Sequence, residues 1–409
     1  MKAKLFGAVC VLAVSSAWMP AALAADLGGD CCADLEERVA ELEATTARKG
    51  NRKVSLTVYG QVNTAVMFWD APNERNTYVV DNDISSTRFG FHGSAKISSD
   101  WSAGYRIEIE TQSAASNEVD EQSDDGPTII EVRVSEWYLK SKTLGTITVG
   151  QGSFVNDGAT EVDLSGTNVI AQFDDLKFGE RFDPRPGFAG AGRSDYDDYT
   201  RGGNFEFNRG NRIRYDSPTL AGFKVSAAWG EDDAWDVALR YAGEFGSFKI
   251  AAAVAYGEAT DSTGSLSNDN VCSGNCDRIQ VVNGSASIIH SPTGLFVTAG
   301  GAWREFDNIA GVPDVQNNYW AIRGGISKKF FSIGKTAIYG EYQITDISNF
   351  HGTLGRDAGI EIWGAGVVQK IDAAAMELYL GYRNANPNDD VQANLGDLNV
   401  VTAGARIKF

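Results

Sequence analysis

Catalysis and metal binding need nucleophiles, general bases and clustered ligands, and this sequence of 409 residues is poor in all three. Histidine occurs only at 92, 290 and 351, each far from any cysteine, which disfavours a zinc site. There is no nucleophile elbow and no phosphate loop, and the Asp-rich stretches 120–125, 195–198 and 386–390 lack the ligand spacing of an EF-hand. Solubility is the plainer reading of those acids. An enzyme would have to pair a serine with His92, His290 or His351. The expectation is therefore no enzyme, no cofactor and no metal. Fixed charge, by contrast, is placed with a regular spacing: Arg88, Arg106, Glu108, Glu110, Arg133, Arg212 and Arg214 each alternate with apolar neighbours. Arginine stays ionised even where like charges crowd it, so charges at such positions suit an electrostatic task.

Those charges need elements to hold them, and the period-two alternation names the element. From Val54 to Phe409 segments of about ten residues alternate polar and apolar, separated by turn residues. Residues 397–409 are the clearest case, and in Tyr105–Glu110 three charges fall on one face opposite Tyr105, Ile107 and Ile109. Sixteen strands are expected, starting near 54, 84, 101, 128, 143, 210, 222, 234, 247, 277, 294, 316, 333, 358, 373 and 397. Tight turns alternate with longer polar stretches at 70–83, 114–127, 152–209, 259–276, 307–315, 347–357 and 386–396, with a short one at 231–234. Short turns at one rim, long loops at the other and an even strand number are the signature of a closed transmembrane β-barrel. A soluble sandwich shares the alternation, but no helical segment after residue 50 could cover the second face of so large a sheet. About sixteen strands leave a water-filled interior, which requires polar residues facing inward. His92 then belongs to a lumen strand and His290 to the rim opposite the long loops, which leaves the Ser–His reading without a shared site. Trp69, Trp137, Trp229, Trp235, Trp303, Trp320 and Trp363 fall near strand ends, where interfacial belts sit.

Composition agrees with this and removes other classes. The excess of 54 acidic over 36 basic residues gives a net charge of -18, unsuited to nucleic acid, whose affinity rests on Lys and Arg replacing counterions. Mean hydropathy is -0.23, and beyond the N-terminus no apolar run approaches the length of a membrane helix. Lys2 and Lys4, the apolar run Leu5–Val14 and Ala22-Leu23-Ala24 predict a cleaved export signal over 1–24. A lead-in over 25–53 follows, with a short amphipathic helix in which Leu35, Val39 and Leu42 form a coiled-coil seam; a trimerising stalk and a solvated linker both remain open. The barrel domain is expected over 54–409. Cys31 and Cys32 are adjacent and rarely bridge each other, whereas Cys272 and Cys276 in a Gly-, Ser- and Asn-rich stretch read as a loop-closing disulfide in an oxidising compartment.

Three stretches resemble a known family. Thr87-Arg88-Phe89-Gly90-Phe91-His92-Gly93, Asn211–Pro218 with Gly222-Phe223, and the terminal Phe409 are similar, in order and spacing, to the general trimeric porins of Gram-negative bacteria, and Cys31–Val58 looks like their alphaproteobacterial version. The resemblance spans the chain after Val54. It implies an all-β fold, a 16-stranded antiparallel transmembrane barrel, and an outer-membrane homotrimer through which ions and small hydrophilic solutes diffuse passively; a substrate-selective channel is the runner-up and a structural or adhesive barrel the third reading. It implies partners in outer-membrane lipid and lipopolysaccharide. It further implies that the loop 152–209 folds inward as a constriction, where Asp163, Asp174, Asp175, Glu180 and Asp183 would supply an acidic edge facing a basic wall of Arg88, Arg133 and Arg209, Arg212 or Arg214. Two departures stand out: this loop is longer than usual in the family, and His92 replaces the family's lysine.

Overall fold

The computed structural model describes residues 53–173, 176–187, 194–200, 205–207, 209–260, 276–308, 313–350 and 353–409. The export signal, the lead-in helix, Asp174, Asp175 and Cys272 lie outside them, as does the side chain of Cys276. The chain forms one sheet of seventeen segments, β1 (Thr57–Asp70), β2 (Arg75–Asp81), β3 (Arg88–Lys96), β4 (Trp101–Gln112), β5 (Ile129–Ser141), β6 (Gly145–Ser153), β7 (Arg209–Asp216), β8 (Phe223–Gly230), β9 (Trp235–Phe245), β10 (Phe248–Ala259), β11 (Cys276–His290), β12 (Leu295–Asn308), β13 (Val315–Phe331), β14 (Gly334–Ser348), β15 (Ala358–Ile371), β16 (Met376–Asp389) and β17 (Leu398–Lys408).

From β3 onward each strand pairs antiparallel with the next, and β17 returns to β1 over the register Gln61↔Lys408 to Asp70↔Asn399. The sheet is thus a closed barrel. Closure removes the exposed edge that an open sheet of this size would present. It is sealed at the end by reciprocal bonds of 3.0 Å between the backbones of Gly60 and Phe409. Gly60 is needed there, because a Cβ would stand 2.6 Å from the Phe409 ring and 2.7 Å from the Arg88 carbonyl.

Sixteen staves account for the seventeen segments, since β1 pairs with β2 over Thr64–Asp70 and with β3 over Thr57–Gln61. The second stave is therefore one strand broken at 82–87. This corrects the expected long loop at 70–83: the connection is a turn at 71–74, closed by the Ala71 amide donating to Glu74 O at 2.9 Å, and 75–81 is strand. Its alternation, with Tyr78 and Val80 buried and Val79 exposed, is real but short and flanked by polar residues, so it reads as loop in sequence. The break is built by Asn82, whose Oδ1 accepts from Ile84 N at 3.0 Å and starts a 3-10 turn at Asp83–Ser85. The remaining staves start within about three residues of their expected positions.

Turns at 97–100, 142–144, 217–222, 246–247, 291–294, 332–333 and 372–375 form one rim, and the longer connections the other. Val62, Phe68, Val225, Val254, Ile338 and Leu380 face outward and are exposed, while Asn63, Ser285, Arg323 and Arg383 face inward and are buried. Among the described residues no helix is long and apolar enough to cross a membrane. Trp137, Trp229, Trp235, Trp320 and Trp363 point outward as expected. Trp69 does not: it is buried on the inner face, its ring centroid 4.4 Å from that of Phe182.

The apolar core lies inside the barrel. Phe154, Phe173, Leu176, Phe182, Tyr196 and Tyr199, all from the connection between β6 and β7, are buried together with wall residues such as Met67, Phe306 and Ile360. The described parts of this connection carry their own apolar side chains into the lumen and bury them against the wall.

Candidate functional site

The inward loop is fixed to the wall by a series of bonds that follows its course. Asp236 of β9 accepts from the Asn156 amide at 2.7 Å; Ser285 of β11 donates to Ala159 O at 2.7 Å and accepts from Val162 N; Ser327 of β13 donates to Ser165 O at 2.7 Å. Further on, Asn82 donates to Val169 O at 2.8 Å and Arg383 of β16 to Gln172 O at 3.2 Å. Tyr196, in the one-turn helix α1 (Tyr196–Thr200), closes the far end by donating to Gly396 O at 2.6 Å. Small hydroxyls at lumen-facing strand positions thus give the loop backbone the partners that burial demands.

Its stem is held by arginines. Arg212 donates to Ser153 O at 2.9 Å, Gly150 O at 2.7 Å and Glu136 Oε2 at 2.8 Å, with its side chain only 3% exposed. Arg214 grips Asp216 through two bonds of 2.9 and 3.0 Å and reaches Phe154 O at 3.3 Å. Arg240, which the sequence reading did not single out, donates to Val155 O at 2.7 Å and Asp157 O at 3.0 Å. Arg212 and Arg214 therefore clamp the root of the loop.

Arg88 and Arg133 stand on a different part of the wall, interleaved with carboxylates. Arg133 Nε lies 3.3 Å from Glu108 Oε1 and its Nη1 binds Glu110. Arg106 meets Glu108 at 2.7 Å and Tyr59 OH at 2.9 Å, and its side chain is 44% exposed, the most open of the group. Ser85, presented by the break in the second stave, accepts from Arg88 at 2.9 Å and from Arg406 at 2.8 Å. The broken strand thus positions two arginines. Arg209, at the loop's exit, is partly exposed and 4.0 Å from Asp157.

Of the acids named from sequence, Asp174 and Asp175 lie outside the described residues, and Asp163, Glu180 and Asp183 are engaged within the loop. Asp163 is buried, accepting from the amides of Ser165, Gly166 and Thr167 at 2.9, 2.8 and 2.9 Å and facing Arg323 at 3.7 Å. Burial alone would raise its pKa; the Arg323 charge and these bonds outweigh it and hold the carboxyl below the usual range. Asp-x-Ser-Gly-Thr is an Asx-turn pattern, a sequence signal for such a local role. Asp183 is buried and paired with Arg185 at 2.6 Å, and Glu180 is buried.

Instead the loop brings together Asp157, Glu161 and Glu206, whose carboxylate oxygens lie within 4.8 Å of one another. Glu206 accepts from Gly158 N at 2.7 Å, Thr160 N at 3.0 Å and Thr160 Oγ1 at 2.6 Å. Burial, reinforced by the charges of Glu161 and Asp157, pushes its pKa well above the usual carboxylate range. No spacing in the sequence announces this group, because Glu206 joins the other two only once the loop has turned back on itself. His92 packs near Tyr59, with ring centroids 5.5 Å apart, and His290 Nδ1 shares a 2.8 Å bond with Thr293 at the short-turn rim; His351 lies outside the described residues. The two described rings are set well apart and build no common site.

A family model described as Gram-negative porin matches residues 8–390. Comparison with curated proteins gives no match. Among solved structures, the fold is similar to an anion-selective porin from Comamonas acidovorans, with a TM-score of 0.58 and 17% identity over 87% of this chain and 100% of that one. It is similar as well to a loop L8 deletion mutant of OmpT, an outer membrane protein of Vibrio cholerae, with a TM-score of 0.55 and 14% identity over 87% and 100%. The outer membrane channel DcaP of Acinetobacter baumannii gives 0.55 and 12% over 88% and 99%.

Proposed function

The chain belongs to the Gram-negative porin family, whose members are outer-membrane channels for passive diffusion of small solutes, and from that membership we propose where its selectivity is set and how it assembles. The narrow zone is the gap between the inward loop and the wall of β3 to β5. On the wall stand Arg88, Arg106 and Arg133, joined by Arg209; on the loop stand Asp157, Glu161 and Glu206. Opposed charges across water orient dipolar solutes and disfavour apolar ones, which suits ions and small hydrophilic molecules. The observation that carries this reading is the line of bonds from Asp236 to Arg383 that holds the loop against one side of the lumen. Asp163, Glu180 and Asp183 then serve to shape and fasten the loop.

The functional unit we infer is a homotrimer set in outer-membrane lipid and lipopolysaccharide. An outward aromatic belt at the loop-side rim runs from Trp229 and Trp235 through Trp320 and Trp363 to Tyr382, on β8 to β16. From β17 round to β7 the outward residues at that level include Val401, Phe68, Thr77, Val79, Phe89, Ile130, Val132 and Gln151, and none of the described ones is Trp or Tyr. Belts mark contact with the lipid interface, so the belt-free arc is the face for neighbouring copies.

Planar-bilayer conductance tests both statements: insertion in threes with ohmic, unsaturated current is expected, and absence of any steps would sink the channel reading for this chain. Replacing Arg88 and Arg133 by Gln removes two positive charges and leaves Glu108 and Glu110 less compensated. A unit charge 4 Å away is worth about 1 kcal/mol in water, so the cation-to-anion permeability ratio should rise by at least about five-fold. An unchanged reversal potential in a salt gradient would refute the assignment of the constriction.

A further inference from the structure

The lysines are gathered at one end of the molecule. Of the twelve between residues 53 and 409, Lys177 sits in the inward loop, and the other eleven lie within four residues of the strand ends that form the short-turn rim. Strand alternation turns most of them to the lumen: Lys224 follows exposed Phe223, Lys249 follows exposed Phe248, and Lys408 follows exposed Ile407. The aliphatic stem of Lys370 passes beneath the inward loop, its Cε 3.3 Å from where a Cβ on Gly166 would stand. The antiparallel register of β14 and β15, Thr336↔Gln369, sets Lys335 beside Lys370; Lys335 also feels the charge of Lys249, and its opposing charge, Asp163, is already committed to Arg323 and three amides.

Two lysines of this rim have a carboxylate of their own, Lys224 with Asp216 at 3.3 Å and Lys329 with Asp372 at 3.7 Å. Lys249 has Glu244 at 3.0 Å; Glu377 is shared by Lys370 at 3.2 Å, Lys408 at 3.9 Å and Arg406. Among the described residues Lys335 and Lys140 make no ion pair. Around Lys335 the positive groups of Lys249, Lys335, Lys370, Lys408 and Arg406 thus outnumber the carboxylates paired with them, Glu244 and Glu377. The longer connections at the other rim are acidic, with Asp120, Glu121, Asp124 and Asp125 in one of them.

We propose that Lys249, Lys335 and Lys370 form a binding site for multivalent oxyanions, polyphosphates and phosphate esters foremost, open to the short-turn side of the channel. Each ammonium group is a compact point charge with three donors, matched to the many acceptors of a phosphate chain. A solute with several negative charges gains from every lysine at once, whereas chloride gains from one and is screened. Entry from the other rim requires passage along acidic loops and through the charged gap, so access is one-sided. The site lies below the constriction and relies on this protein being an open channel, but not on which residues set its selectivity.

The test is current through channels in a planar bilayer, with inorganic tripolyphosphate added to each side in turn. Block from one side at a concentration roughly ten-fold lower than from the other is expected, as focused charge raises local anion concentration by at least that factor. Lys335→Gln with Lys370→Gln should remove the asymmetry, Lys335→Arg should keep it, and Lys177→Gln should leave it untouched. Equal block from both sides, or asymmetry that survives the double substitution, overturns the proposal. Should the double variant fail to insert, Lys335→Gln alone decides the matter, since that side chain holds no ion pair; it must then weaken the block several-fold. The salt-gradient reversal potential of the unblocked wild-type channel, set at the gap above, is a separate readout for the constriction.

Discussion

Asp163 and Glu206 show how one functional group takes opposite roles within one loop. The first has three amides and a guanidinium around it and stays ionised; the second sits with two other carboxylates and is driven towards its neutral form. A raised carboxyl pKa in the folded state means that proton binding favours the fold: the contribution is fully present below the ordinary value near 4.3 and is lost as pH rises through the elevated value. Acidification should therefore neutralise part of the loop's acidic face at a pH higher than simple carboxylates would allow. Anion permeability should rise in that step, and Glu206→Gln should abolish it. Reversal potentials measured from pH 8 down to pH 4 decide this; a titration unaltered in the variant would mean that Glu206 does not face the conducting path. Sequence alternation was enough to turn Arg88 and Arg133 to the lumen, because a strand leaves only two directions for a side chain. It could not sort the acids, since a loop residue's direction depends on where the loop lies.

At the scale of elements, the wall was legible and its exceptions were not. Fifteen staves begin about where alternation and turn residues put them, because a half-lipid, half-water environment writes period two into every strand. The second stave failed this reading since its two pieces, β2 and β3, are separated by a turn that leaves the wall to hold Ser85 between Arg88 and Arg406. The loop's inward position was implied by the family resemblance; its fastening depends on serines at 285, 287 and 327, which look ordinary in sequence. The Asp163 turn is the fastening whose loss should matter most. Asp163→Ala would leave Arg323, 1% exposed and stacked over Phe173 at 4.7 Å, as a buried charge short of its partner. Removing one member of such a pair costs about 3–5 kcal/mol, enough to loosen the loop locally without opening the barrel. Single-channel records of the variant should show added closures or sublevels, while strand content by circular dichroism stays unchanged. Quiet openings identical to wild type would show that the loop does not depend on this turn.

For the whole molecule, a mean hydropathy of -0.23 and a net charge of -18 look incompatible with a membrane protein until the residues are divided by surface. Every second strand residue meets lipid, the others face a water-filled lumen, and the acidic connections stand outside the bilayer. The outer surface itself is not uniform, and its division into a belted and a belt-free arc predicts the assembly. Val79 is 70% exposed on β2, and Val132 is 51% exposed on β5, both within the belt-free arc; Val297, 46% exposed on β12, faces outward from the belted arc. A glutamate on a lipid-facing strand costs somewhat less than the roughly 2–4 kcal/mol of a lysine or arginine at the midplane, so none of the three substitutions should unfold a barrel closed along its whole length. Between copies of the chain the same charge would be repeated around a threefold axis with no water to screen it. Val79→Glu and Val132→Glu should therefore convert trimers to monomers in native mass spectra, with strand content and conductance per barrel retained, whereas Val297→Glu should remain trimeric. If the belt-side variant is the one that dissociates, copies meet through β12 and its neighbours, and the lack of outward Trp and Tyr at the loop-side rim from β17 to β7 needs another cause.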